Sequence, residues 1–99
     1  MRISLGDRAM GALQAELLGE KMDSLGRASR AAEDALAKLA AFEGDAETRE
    51  TLLDAAASKV WSFLVQRELC GFMYDVASIR DMNVPPEVMA RLGVARKKE

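Results

Sequence analysis

From Asp7 to Phe42, apolar side chains return at three- and four-residue steps: Met10, Leu13, Leu17, Leu18, Met22, Leu25, Ala28, Ala32, Leu36 and Leu39. The residues between them are rich in Ala, Glu, Lys and Arg and include no proline. Such spacing lines one side of a helix, so it predicts a single long amphipathic helix. Asp7 stands where an N-cap belongs, and Gly44, just past Phe42, where a left-handed turn would end the helix. Gly11, Gly19 and Gly26 fall inside the pattern, each at a cost of roughly 1 kcal/mol against alanine. Gly26 is thus the point at which the helix could break. Gly19 and Gly26, seven residues apart, mark a stretch where a partner helix could pass close.

The acidic link Glu43-Gly44-Asp45-Ala46-Glu47 reads as a turn, and Asp45 or Thr48 then caps a second helix from about Ala46 to Leu69 or Cys70. Glu47 and Glu50 in its first turn suit the positive end of the helix dipole. Leu52, Leu53, Ala56, Val60, Phe63, Leu64 and Arg67 lie on or beside its buried stripe, while Trp61 and Val65 fall off it. A helix with apolar side chains on more than one side calls for a second partner. Gly71 is a natural stop. Asp75 is placed to cap a short helix, Val76 to Met82. After the break Asn83-Val84-Pro85-Pro86-Glu87, a final helix should run from Pro86 to Leu92 and end at Gly93. The basic stretch Arg96-Lys97-Lys98-Glu99 reads as a disordered tail. No segment alternates like a strand. The expected fold is all-α: a long two-helix hairpin with two short C-terminal helices, one domain over residues 1–95 and a tail at 96–99.

Composition narrows the chemistry. Ninety-nine residues, about half of them apolar but 17 of those alanine, suffice for one domain and not for two. The net charge of −2 offers no general excess of cations to hold a polyanion. With no histidine and one cysteine, His-based acid and base catalysis, Ser-His and Cys-His nucleophiles, the common zinc sets and an intrachain disulfide are all excluded. Glycines occur singly, so no phosphate loop or dinucleotide fingerprint can be drawn. No catalytic residue, cofactor or metal site is therefore expected. No apolar run has the length of a signal peptide or a bilayer span, which points to the cytoplasm.

A few polar residues stand out. Asp75 and Asp81 are six apart, a spacing that does not stack them on one helix face, and they read as a cap and an exposed residue. Arg67 lies near the end of an apolar helix. If buried, it should pair with a carboxylate, Asp75 or Asp81 in a structural polar network, or with the open carbonyls at a helix end; otherwise its stem lies on the core and its head stays wet. Cys70, at a helix C-terminus among apolar neighbours, reads as an inert thiol. Met73, Met82 and Met89, near helix ends, suit irregular core gaps.

The helix end Val65-Gln66-Arg67-Glu68-Leu69-Cys70-Gly71 and the segment Val84-Pro85-Pro86-Glu87-Val88 carry a resemblance that extends over most of the chain. The chain resembles a family of small bacterial helical proteins known only as a domain of unknown function. The resemblance implies a helical cytoplasmic protein and brings no catalytic residue with it.

Three functions can be set against these residues. The first is an interaction protein, a small regulator, adaptor or inhibitor. It would be a homodimer in which two hairpins form a four-helix bundle through Leu53, Ala56, Val60, Trp61, Leu64 and Val65. The second is a nucleic-acid accessory protein using the C-terminal helices with Arg91, Arg96, Lys97 and Lys98. Its recognition helix would be short and would begin at an acidic Glu87. The third is a carrier or enzyme with a pocket of Trp61, Phe63, Phe72 and Tyr74, although these aromatics are more simply a core.

Overall fold

The computed structural model describes residues 5–71 and 81–98, and the described residues are helical without strands. Helix α1 spans Leu5–Ala41, α2 Ala46–Leu69 and α3 Pro86–Lys98. α1 and α2 form an antiparallel hairpin, and α3 packs on α2. The short helix expected at residues 76–82 lies mostly outside the described residues; Asp81 and Met82, which are described, are helical.

The turns follow the chemistry of their residues, with some corrections. α1 already includes Leu5 and Gly6, so Asp7 lies within the helix and is not its cap. It runs unbroken through Gly26. A methyl group at Gly19 would meet nothing within 4 Å, and one at Gly26 would meet only the Arg30 guanidinium at 3.4 Å, so among the described residues no helix approaches closely there. Past α1 the Phe42 amide still reaches the Leu39 carbonyl at 3.3 Å. Gly44 keeps a negative φ, contrary to the left-handed turn expected of it. It serves instead by lacking a side chain, because a Cβ there would lie 2.6 Å from the Phe42 ring.

Asp45 caps α2. Its backbone is extended, and its carboxylate accepts from the Thr48 amide at 2.8 Å and the Thr48 hydroxyl at 2.9 Å, which holds it below the ordinary carboxylate value. At the other end Gly71, at φ +88°, takes the left-handed conformation that closes a helix at least cost. Asn83, at φ 56°, makes the second sharp turn, a conformation its short polar side chain tolerates. Pro86 begins α3, with the Val88 and Met89 amides turned back to the Pro85 carbonyl. Gly93 does not end it. The helix continues to Lys98 and takes in the backbone of Arg96 and Lys97, which were expected in the tail.

One core joins the three helices. α1 contributes Leu25, Ala32, Leu36 and Leu39, α2 contributes Leu53, Ala56, Ala57, Val60, Phe63 and Leu64, and α3 contributes Val88 and Leu92, all at 8% exposure or less. Ala32, Ala56 and Ala57 are buried in this core beside the larger residues. The result is long. Its principal extents are 65 × 24 × 24 Å, and its radius of gyration is 18.0 Å against about 13 Å for a compact domain of this size.

Candidate interaction surface

Helix lengths set the geometry of the surface. At 1.5 Å per residue α1 is about 55 Å long and α2 about 36 Å, so one must outrun the other. α2 ends beside the middle of α1: the Ser24 hydroxyl donates to Gln66 Oε1 at 3.3 Å, and the Cys70 thiol points at the Lys21 carbonyl, 3.5 Å away. Cys70 is half-buried. The part of α1 before Lys21 therefore projects beyond α2 as an arm.

The arm keeps the apolar repeat without the cover. Met10, Leu13, Leu17, Leu18 and Met22 are 41–57% exposed, and Leu69, beside Cys70 at the end of α2, is 64% exposed. Met10, Leu13 and Leu17 stand at i, i+3 and i+7 on one face. Leu18 continues the seven-residue line of Leu25, Ala32 and Leu39, which faces α2 farther along. Arg8, Glu16, Glu20, Lys21 and Asp23 are exposed around this apolar strip. A contiguous apolar surface of this kind marks an interaction site more often than chance exposure.

The residues expected to form a dimer interface are placed differently. Leu53, Ala56, Val60 and Leu64 are 0–6% exposed within the chain's own core, so their surface is already spent. The apolar excess inferred for α2 is covered by α1 on one side and by Val88 and Leu92 of α3 on another. Trp61 and Val65, off the main stripe, are half-buried. The sequence missed the arm because its repeat looks the same as that of the covered half. Comparing the lengths of the two helices was the one signal that could have found it.

Of the polar network, Arg67 and Asp81 come to the same place. With Ser29, Glu33, Phe63 and Met82 they line a shallow recess of about 220 Å³ between α1 and α2. The half-buried Arg67 guanidinium lies 5.8 Å from the centre of the Phe63 ring, a cation–π distance. Asp75 lies outside the described residues, as do Phe72 and Tyr74 of the aromatic pocket. Phe63 belongs to the core, and Trp61 packs against it.

Ion pairs fasten α3 to α2. Arg49 grips Glu87 with two hydrogen bonds of 2.9 and 2.5 Å, and Arg91 bridges Glu50 and Asp54. The Arg49 bond holds the Glu87 carboxyl below its usual range, and bonds to Glu50 and Asp54 raise Arg91 further above its own. Arg91, one of the cations considered for nucleic acid, is thus occupied by acids of its own chain.

Fold and surface together define an all-helical protein built on a lopsided hairpin, with one apolar arm and a fastened third helix. No described helix is long and apolar enough to cross a membrane. The chain belongs to a family of unknown function, DUF6665, whose model matches residues 2–99. No curated protein and no solved structure matches it.

Proposed function

We propose that this protein is a non-enzymatic interaction protein of the bacterial cytoplasm, a small regulator, adaptor or inhibitor, that works as a homodimer. The observation that carries the reading is the arm: five large apolar side chains, each 41–57% exposed, on a continuous helix. Burying them at about 25 cal/mol per Å² favours association as soon as a partner surface of a few hundred Å² is offered. The lack of histidine fits a role in binding better than one in catalysis. A dimer in which two hairpins lie side by side as a four-helix bundle would use Trp61 and Val65, because the rest of its expected contact set is in the core.

Light scattering on a sizing column, at several concentrations and two salt levels, tests the reading. The expected mass is twice 10.8 kDa, with little dependence on salt because the contact is apolar. A mass of 10.8 kDa at every concentration would overturn the homodimer.

A further inference from the structure

We infer that α3 is a strap that lifts off the hairpin as a unit, hinged at Asn83 and latched by exposed ion pairs, and that its release bares a second apolar face of α2.

The hinge lies just before α3. Asp81 and Met82 stay with the hairpin, where they line the recess with Phe63 and Arg67. Asn83 then turns the backbone at φ 56°, and the first hydrogen bonds of α3 start only at the Pro85 carbonyl. Pro85 and Pro86 have no amide hydrogen to donate, so no helical ladder runs from Met82 into α3.

What holds α3 down differs in kind from what holds the hairpin. α1 contributes four buried side chains and α2 six, whereas among the described side chains of α3 only Val88 and Leu92 are buried. α3 has 13 residues, and a lone helix of that length is marginal in water. Detached from α2 it melts, so docking and helix formation are one event. The rest of the attachment is charge: Arg49 with Glu87, and Arg91 with Glu50 and Asp54, on side chains 31–67% exposed. Ion pairs open to solvent are screened by salt, and the apolar contacts of the hairpin are not. The latch is the part of this fold that ionic strength undoes.

The ion pairs also mark what α3 covers. Glu50, Asp54 and Ala57 stand at i, i+4 and i+7 on α2 with Leu53 beside them, on one face of the helix. Gln66 and Cys70, which reach α1, project from the other side. Leu53 is 3% and Ala57 5% exposed with α3 in place. Lifting α3 uncovers them and leaves the seam between α1 and α2 closed.

Hydrogen exchange of the whole chain, read amide by amide by NMR at low salt and at about 1 M NaCl, tests the strap. At low salt the amides from Met89 to Leu92 should exchange at least about 10-fold faster than those of Ala57, Val60 and Leu64. High salt should widen that ratio. Arg49→Ala with Arg91→Ala should raise α3 exchange about fivefold at low salt and abolish its response to salt. Equal protection of α3 and α2 at both salt levels would overturn the strap, because the chain would then open only as a whole. Faster α3 exchange that ignores both salt and the arginine substitutions would overturn the ion pairs as its latch.

Thiol labelling reads the bared face. Ala57→Cys in a Cys70→Ser background sets a single thiol under α3. It should label in step with the α3 amides and faster in high salt. Labelling in step with the slow α2 amides would overturn the baring of α2. If that variant fails to fold, Val88→Cys in the same background reports the same joint from the α3 side, with the same two outcomes.

Discussion

The two halves of α1 carry the same kind of residue at the same spacing and differ in what lies beside them. Leu25, Ala32, Leu36 and Leu39 are 0–8% exposed, whereas Met10, Leu13, Leu17, Leu18 and Met22 are 41–57% exposed. The spacing does not separate the halves, although the covered half, residues 23–41, has seven alanines against three in residues 5–22. The difference is the length of the neighbour: α2 has 24 residues against 37 in α1, and its last turn stops beside Lys21 and Ser24. Amphipathic spacing therefore identifies a face that needs cover, and tertiary geometry determines whether the chain supplies that cover itself. The hairpin half uses its apolar face for stability, and the arm's own face stays exposed.

The contrast can be broken most severely in the core. Val60 is 1% exposed, and Val60→Asp would bury a carboxylate among aliphatic side chains. It should cost about 4 kcal/mol or more and remove the cooperative transition in far-UV circular dichroism. Next in size is a matched pair of truncations. Leu53→Ala, at 3% exposure, should lose about 2–5 kcal/mol in urea unfolding. Leu17→Ala, at 49%, should lose less than about 1 kcal/mol at concentrations where the chain is monomeric. Equal losses would mean that the arm is packed as tightly as the hairpin.

The arm can also be stiffened. Gly11 and Gly19 have open space where a Cβ would go, so alanine at each should stabilise the local helix by about 1 kcal/mol. Hydrogen exchange of the arm amides should slow about fivefold per substitution, while the core amides of α2 stay unchanged. No slowing would show that the arm's helix is already as stable as the hairpin's.

The smallest effects belong to the exposed ion pairs that fasten α3. Glu87 is held below its usual 4.5 by Arg49, and Asp45 below its usual 3.8 by the Thr48 amide. A carboxyl with a depressed folded value adds stability above its unfolded value and loses it as pH falls through the folded one. The melting temperature should therefore decline as pH is taken below about 4.5, and Glu87→Gln should flatten the upper part of that decline. Arg91→Ala should lower the melting temperature by less than Leu53→Ala, with the deficit shrinking at high salt.

Much of the architecture was legible because it is local. Asp45 before Ala46, Gly71 after Cys70 and Pro86 at the head of α3 act through their own backbone and nearest neighbours; Gly71 and Pro86 were readable in place, and Asp45 was one of two candidate caps, with Thr48. The misreadings are also instructive. Gly93 and Gly44 are residues that permit a helix to end without requiring it. At Gly93 the helix runs on, and at Gly44 the Phe42 ring is what needs the missing side chain. Arg67 and Asp81 line one recess, and a contact visible at Arg67 is the Phe63 ring beneath its guanidinium.

The sequence by itself determined that this chain is helical, where α2 is capped and stopped, that it lacks the histidine most small catalytic sites rely on, and which positions are apolar. It could not say which apolar face meets which. Helical periodicity repeats every seven residues and carries no mark of depth, so Leu18 and Leu25 look alike one heptad apart. Only the tertiary structure, by ending α2 beside Lys21, decided that Leu25 is core and Leu18 is surface. It moved the candidate interface from α2 to the arm because a side chain buried against its own chain has no apolar area left to give a partner.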